Sequence, residues 1–214
     1  MTEFKLPKIY PLTDRNLSGL SHLEQLMALA EGGARIVQIR DKHASSREYF
    51  DSVQQCLKFS SGNNIKLIVN DRVDIAMVLN ADGVHLGQED LPPVEARKLL
   101  GPNVIIGFST HTIEQAAEAT RAPIDYIAFG PIFQTTTKSD HENIVGLELL
   151  QEVRQQTGDL PLVAIGGIDL SNLADVFAAG ADSAAMISAL VADPPNIAEN
   201  TRKALSIVQS ASLR

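Results

Sequence analysis

Short apolar segments alternate with longer amphipathic segments along the whole chain. The apolar segments are rich in β-branched residues and predict β-strands, while the longer segments carry apolar residues at helical spacing and predict α-helices. The predicted strands cover Ile9–Thr13, Ile36–Arg40, Lys66–Asn70, Gly83–Leu86, Val104–Phe108, Tyr126–Phe129, Leu162–Ile165 and Ala184–Ile187. The predicted helices cover Leu20–Glu31, Ser46–Phe59, Val73–Leu79, Pro93–Leu100, Ile113–Thr120, Gly146–Gln156, Leu170–Ala179 and Ile197–Val208.

This alternation predicts parallel βαβ units. The runs KLIV, VIIG and LVAI are apolar at nearly every position, which is typical of strands covered on both faces. Eight such units predict a closed (β/α)8 TIM barrel, with a doubly wound open sheet as the alternative. No linker or low-complexity segment divides the chain, so residues 1–214 are predicted to form a single domain.

Composition narrows the class of protein. The chain has 214 residues, 44% of them hydrophobic and 21% charged, as expected for a folded domain. Its formal net charge of −8 argues against nucleic acid or an anionic membrane as a partner. We found no membrane-spanning run and no secretion signal, and Cys56 is the only cysteine. We therefore expect a cytoplasmic enzyme; its oligomeric state stays open and is compatible with a homo-oligomer.

Cationic side chains follow the second predicted strand. Gln38, Arg40 and Lys42 occupy every second position, so strand geometry sends all three side chains to one side, into the barrel mouth. A guanidinium fork beside an ammonium suits a diphosphate. The alternative is a solvated strand end without a ligand.

Two acidic residues follow neighbouring strands. Asp71 comes after the third predicted strand and Asp90 after the fourth, so their carboxylates are expected to converge. Mg²⁺ is commonly held by one or two carboxylates together with phosphate oxygens and water. Alternatively, each aspartate caps a helix, which is plausible for Asp71 before Val73–Leu79.

Glycines and hydroxyl residues follow the later strands. Gly166-Gly167 and the turn after Ile187 lie where many barrels bind phosphate, although a tight turn would use the same glycines. The polar segment Gln134–Val145 is long enough for a lid over bound anions, or forms a Thr-rich surface turn. His85 and His111 are interpreted as structural, and Cys56 as inert packing.

Seven segments, in this order and spacing, resemble the thiamin phosphate synthase family over essentially the whole chain. They are QIRDK (38–42), NDR (70–72), DGVHLGQED (82–90), GFSTH (107–111), FGPIFQTTTK (129–138), VAIGGI (163–168) and GADSAAMIS (180–188). The resemblance implies that hydroxymethylpyrimidine diphosphate loses pyrophosphate and that the nitrogen of a thiazole phosphate captures its methylene group. The reaction is then dissociative, and the protein needs no nucleophile.

The resemblance also implies roles for individual residues. It makes Asp71 and Asp90 the Mg²⁺ ligands, so Mg²⁺ is the expected cofactor. The residues implied to hold the pyrimidine diphosphate are Gln38, Ile39, Arg40, Asp41, Lys42, Asn70, Ser109 and Lys138, of which Arg40, Lys42, Ser109 and Lys138 act in catalysis. Those implied around the thiazole phosphate are Thr135, Thr136, Thr137, Gly167, Ile187 and Ser188.

The chain departs from the family's pattern at two places. Phe108 is bulkier than the small residue that the family usually has there, which predicts a narrower pyrimidine pocket, and 139–143 follow no pattern that indicates lid behaviour. A related thiazole tautomerase is the nearest alternative function, but it would need an acid/base residue rather than a diphosphate–metal site. A non-catalytic sensor of phosphorylated ligands is the second alternative, and it would have no use for both acidic residues.

Overall fold

A computed structural model describes residues 5–135 and 143–211. Its strands are β1 (Ile9–Thr13), β2 (Ile36–Ile39), β3 (Lys66–Asn70), β4 (Gly83–Leu86), β5 (Ile105–Thr110), β6 (Tyr126–Phe129), β7 (Leu162–Ile165) and β8 (Ser183–Met186). Its α-helices are α1 (Arg15–Ser18), α2 (His22–Glu31), α3 (Ser46–Gly62), α4 (Val73–Leu79), α5 (Pro93–Leu100), α6 (Ile113–Ala119), α7 (Gly146–Thr157), α8 (Leu173–Ala178), α9 (Ser188–Val191) and α10 (Ile197–Ala211). A short 3₁₀ helix covers Pro194–Asn196.

The strands form one closed barrel in chain order. Every neighbouring pair is parallel, and β1 pairs with β8, where Tyr10 lies opposite Ala185. The closed eight-stranded barrel that the sequence predicts is therefore confirmed, and the open sheet is excluded. A closed sheet has no exposed edge to which a ligand could add. In barrels of this kind, ligands bind instead at the ends of the strands, where the loops begin.

Two apolar layers follow from the alternation of side chains along the strands. One layer lies between the barrel and the helices; it includes Val37, Val69 and Val84. The other fills the inside of the barrel and consists of Leu6, Tyr10, Leu12, Ile36, Ile68, Ile105, Tyr126, Ala128, Val163 and Ala185. The interior is thus a packed core below the mouth.

Three aspartates tie strand pairs together at the N-terminal end of the barrel. Each directly precedes an even-numbered strand and accepts a hydrogen bond from a backbone N–H of the strand before it. Each also pairs with a basic side chain at 2.7 Å. The three sets are Asp82 with Leu67 N and Lys66, Asp125 with Ile106 N and Arg97, and Asp182 with Leu162 N and Arg154. This end of the barrel contributes stability, and the opposite end is left for chemistry.

The boundaries of several elements differ from the sequence-based prediction. Strand β2 ends at Ile39, one residue before its predicted end, and β5 continues to Thr110. Helix α2 begins at His22 because Ser21 caps it in a capping box with Glu24. The short helices α1 and α9 were not predicted, because four residues are too few to show a helical period. Among the described residues, no helix is both long enough and apolar enough to cross a membrane.

Gly107 allows a large aromatic side chain to lie inside the barrel. A Cβ atom at this position would lie 2.0 Å from Cζ of Tyr126, whose side chain is fully buried. We predict that Gly107→Ala lowers the free energy of unfolding by about 1–3 kcal/mol through overpacking. Gly62→Ala is the matched control, since its Cβ would meet nothing within 4 Å. Denaturant unfolding of both variants tests this, and equal stabilities would contradict it.

Candidate functional site

A cavity of about 490 Å³ opens at the C-terminal end of the barrel. Its lining contains nearly all the polar side chains that the sequence singles out on β2 to β5 and the loops that follow them. The polar lining comprises Gln38, Arg40, Lys42, Asn70, Asp71, His85, Gln88, Glu89, Asp90, Ser109, His111 and Gln115. Apolar side chains from β6, β7 and β8 form the opposite wall. The mouth is therefore polar and charged on one side and apolar on the other.

Asp71 and Asp90 both line this cavity, and they lie close enough for each carboxyl group to act on the other. Burial raises the pKa of Asp71, and the neighbouring Asp90 raises it further, while Lys42 and Arg40 oppose the shift. In addition, Oδ2 of Asp90 accepts a hydrogen bond from the backbone N–H of Gly87 at 2.6 Å. Two carboxylates this close need either a shared proton or a cation.

The helix-cap alternative for Asp71 is not supported. The residue at the N-cap of α4 is Arg72, and no side chain caps this helix. Asp71 itself has a φ of 61°, a left-handed conformation that is uncommon outside glycine and is enriched in Asn and Asp. Its N–H donates to the carbonyl of His85 at 2.9 Å, which fixes the turn against β4. The strained backbone thus serves to aim the carboxylate into the cavity.

The cations of the site, Arg40 and Lys42, come from the turn that follows β2. Arg40 is buried, and its guanidinium lies 3.5 Å from the carboxylate of Asp14. Lys42 is exposed at the rim, and Asn70 is buried beside the acidic pair. Tyr49 links the ends of β2 and β3. Its hydroxyl donates to the carbonyl of Ile39 at 2.6 Å and accepts from the N–H of Asn70 at 3.1 Å. Two cations and an amide therefore face the same space as the two carboxylates.

Two side chains that were implied to contact the diphosphate point elsewhere. Ile39 is fully buried in the layer between barrel and helices. The carboxylate of Asp41 binds Arg15 at 2.7 Å and lies 3.3 Å from Nε2 of His22, whose Nδ1 is 2.8 Å from the hydroxyl of Thr13. Strand alternation turns both side chains away from the mouth, and the role of the two residues in holding the diphosphate stays a prediction. Burial lowers the pKa of His22, so this histidine is neutral and links Thr13 to Asp41.

A second, smaller cavity of about 40 Å³ lies beside the first one and shares Ile165, Ala185 and Ile187 with it. It is lined by backbone and small side chains: Gly130, Pro131, Thr135, Gly166, Gly167, Ile168 and Ser188 complete its wall. Gly167 has a φ of 64°, and a Cβ there would lie 2.5 Å from the carbonyl oxygen of Gln134. Only glycine fits this contact between the loops after β6 and β7.

The remaining predicted residues divide into two groups. Ser109 lines the main cavity, whereas Thr136, Thr137 and Lys138 lie outside the described residues, as does most of the segment 139–143. Phe108 packs into the layer between barrel and helices rather than into the cavity. The expectation that it narrows the pyrimidine pocket is therefore wrong, because it alternates with Ser109 along β5 and points outward.

Comparison with known proteins points to one family. The family model described as thiamine monophosphate synthase matches residues 9–190. The thiamine-phosphate synthase of Chloroflexus aurantiacus is 44% identical over 209 residues, covering 96% of each chain. That of Chlorobium phaeobacteroides is 47% identical over 190 residues, covering 88% of this chain and 91% of that protein.

The chain belongs to the thiamine monophosphate synthase family. The solved structure of a thiamine phosphate pyrophosphorylase from Pyrococcus furiosus superposes with a TM-score of 0.87 at 34% identity, covering 95% of this chain and 96% of that one. 3-Hexulose-6-phosphate synthase, at 19% identity and a TM-score of 0.69, shares the fold alone. As a member of this family, the chain is a transferase of thiamine biosynthesis.

Several polar residues in and beside the cavity were not predicted as parts of the site. Tyr10, Tyr126 and His85 form a buried hydrogen-bonded chain beneath the cavity, and the sequence-based interpretation assigned His85 only a structural role. Asp14 and His22, which flank Arg40 and Asp41, were not singled out either. Strand alternation offers a signal for the first three, because Tyr10, His85 and Tyr126 occupy inward positions.

We predict that Asp71→Asn stabilises the metal-free protein at neutral pH. The pKa of Asp71 is raised in the folded state, so its ionisation opposes folding, and this cost appears as the pH rises through the raised pKa. Asparagine also tolerates the left-handed backbone. The gain should be about 1 kcal/mol, or about 2–4 °C in Tm, and should shrink towards acidic pH.

Thermal unfolding from pH 4 to pH 8 in chelator measures this effect. Asp159→Asn provides the control, since it makes the same change of charge at an exposed position. A lower Tm for Asp71→Asn than for wild type at pH 8 would show that the two carboxylates do not repel each other.

Proposed function

We propose that the chain joins a hydroxymethylpyrimidine diphosphate to a thiazole phosphate and releases pyrophosphate, with Mg²⁺ bound at Asp71 and Asp90. The C–O bond between the pyrimidine methylene and the diphosphate breaks, and pyrophosphate leaves with the electron pair. The thiazole nitrogen then forms a C–N bond to the methylene carbon. The observation that carries the proposal is the paired carboxylates of Asp71 and Asp90 beside Arg40 and Lys42.

The donor set suits Mg²⁺ bound together with a diphosphate. Asp71 and Asp90 act on each other and the pKa of Asp71 is raised, so a divalent cation bound between them would keep both carboxylates ionised. Among the described residues, no group of three or more His, Cys, Asp and Glu could hold a metal. Substrate phosphate oxygens and water would therefore complete the coordination, as Mg²⁺ commonly requires. When bound, Mg²⁺ would act as a Lewis acid on the leaving group.

Protein side chains would stabilise the remaining negative charge on the leaving group. Arg40 and Lys42 stand on the same side of the cavity as the acidic pair, where a guanidinium and an ammonium stabilise the charge that develops on departing pyrophosphate. Lys138, which lies outside the described residues, is proposed to add a third cation. Because the leaving group is stabilised in this way, the reaction needs no protein nucleophile. Cys56, the only cysteine of the chain, is fully buried in α3 and does not serve as one.

The smaller cavity is proposed to hold the thiazole phosphate. Gly167, Ser188 and Thr135 line it, and a phosphate held there would accept hydrogen bonds from backbone N–H groups and from the Thr135 hydroxyl. The apolar surface shared with the main cavity, formed by Ile165, Ala185 and Ile187, lies between the two anion positions. Two flat rings placed against this surface would be held next to each other, and such positioning lowers the entropic part of the barrier.

The alternative isomerase and sensor functions have less support. Neither function gives a reason for a strained Asp71 facing Asp90. The test is to incubate the purified chain with both substrates and to measure pyrophosphate and thiamine phosphate, with Mg²⁺ and with chelator. Equal amounts of both products, formed only with Mg²⁺, support the synthase. An isomerised thiazole phosphate without pyrophosphate, or binding without turnover, would replace the proposal with one of the alternatives.

We predict that Asp90→Asn lowers kcat by about 100-fold or more and weakens the dependence on Mg²⁺, because one carboxylate would no longer hold the ion beneath the leaving group. Steady-state kinetics over a Mg²⁺ titration measure both effects. Asp159→Asn again provides the control for charge. Wild-type kinetics in Asp90→Asn at every Mg²⁺ concentration would remove the metal assignment.

A further inference from the structure

Five buried polar side chains cross the inside of the barrel as one hydrogen-bonded chain. Nε2 of Gln38 donates to the hydroxyl of Tyr10 at 3.0 Å, and the two tyrosine hydroxyls of Tyr10 and Tyr126 are 2.8 Å apart. The hydroxyl of Tyr126 is 3.0 Å from Nδ1 of His85, and Nε2 of His85 is 2.8 Å from the hydroxyl of Ser109. Both ends of this chain, Gln38 and Ser109, line the main cavity.

The chain has a direction that its first bond fixes. Because Tyr10 accepts from the Gln38 amide, its own hydrogen is donated to Tyr126. In the neutral tautomer that agrees with this order, Nδ1 of His85 accepts the Tyr126 hydrogen, and Nε2 carries the proton and donates it to Ser109. Burial raises the pKa of both tyrosines, so both remain neutral and able to donate.

This direction determines what the cavity offers to a ligand. With its NH₂ group committed to Tyr10, Gln38 has its amide oxygen left as an acceptor, while Ser109 has its hydroxyl hydrogen left as a donor. The packing gives the amide little freedom: Gln38 is 2% exposed, and the two tyrosine rings meet edge to face at a centroid distance of 5.8 Å. Rotating the Gln38 amide would place two oxygens face to face unless every bond in the chain reversed.

We propose that Tyr10, Tyr126 and His85 are positioning residues that hold the Gln38 amide oxygen towards the cavity and thereby select a pyrimidine with an exocyclic amino group over the same pyrimidine with an oxo group. An amino group donates to the amide oxygen, whereas an oxo group would face it acceptor to acceptor. The inference rests on the proposed function, because it assigns the pyrimidine to this cavity.

Removing one hydroxyl from the chain tests the inference. In Tyr10→Phe or Tyr126→Phe the Gln38 amide can rotate without leaving a bonded partner, so the oxo form should bind better than it does to wild type. Wild type should prefer the amino pyrimidine diphosphate by about 100-fold in Kd, and each variant should prefer it by about tenfold or less. The double variant should match the single ones, because the chain acts as a unit.

Isothermal titration calorimetry with the two pyrimidine diphosphates and Mg²⁺ gives these constants, and thermal unfolding shows that each variant is folded. If one single variant fails to fold, the other carries the test. Thr201→Val is the matched control: it also loses a fully buried hydroxyl, but the partner of that hydroxyl is the carbonyl of Ile197 in α10, outside the lining of the cavity. It should keep the amino preference of wild type even if it is less stable.

The outcomes separate this inference from the proposed function. A preference that stays within about twofold of the wild-type value in the folded variants overturns the positioning role, as does a wild type without preference. A wild type that prefers the amino form but releases no pyrophosphate with a thiazole phosphate overturns the proposed function alone. Failure of wild type to bind either pyrimidine overturns both.

Discussion

The inside of a closed eight-stranded barrel is a small space that side chains must fill closely, and a polar atom enclosed there costs stability unless it finds a partner within the same space. In this chain most of that volume is apolar, but Tyr10 and Tyr126 meet at its centre through their hydroxyl groups. Because Gly107 has no side chain, the ring of Tyr126 fits beside it. The hydrogen-bonded tyrosines beneath the cavity are therefore also part of the packed core of the barrel. A substitution that changes one of them changes both the polar contacts and the packing.

Charge is distributed along the barrel axis in two arrangements. At the N-terminal end, Asp82, Asp125 and Asp182 each accept a backbone N–H and pair with a basic side chain, so their charges are compensated. At the mouth, Asp71 and Asp90 face each other, and Arg40 and Lys42 lie nearby without separating them. Compensated pairs contribute stability, whereas an uncompensated pair costs stability until a cation binds. This contrast is the physical basis for the proposal that a metal ion binds at the mouth.

Several site residues could be predicted because strand geometry and spacing require little more than the local sequence. Gln38, Arg40 and Lys42 reach one side through alternation, and Asp71 and Asp90 converge because parallel strands end at the same edge. The same rule, applied to Ile39, Asp41 and Phe108, would have turned their side chains away from the cavity. The resemblance to a family supplied positions in the chain but not the direction of each side chain.

The sequence by itself determined the number and order of strands, the single barrel and the polar residues at its mouth, because each of these depends on local periodicity. Only the tertiary structure decided that Tyr10, Tyr126 and His85 join Gln38 to Ser109, since these residues come from five strands that the chain alone does not place across from one another. It likewise decided the left-handed turn at Asp71. Contacts across a closed barrel depend on its register and packing, which no local pattern encodes.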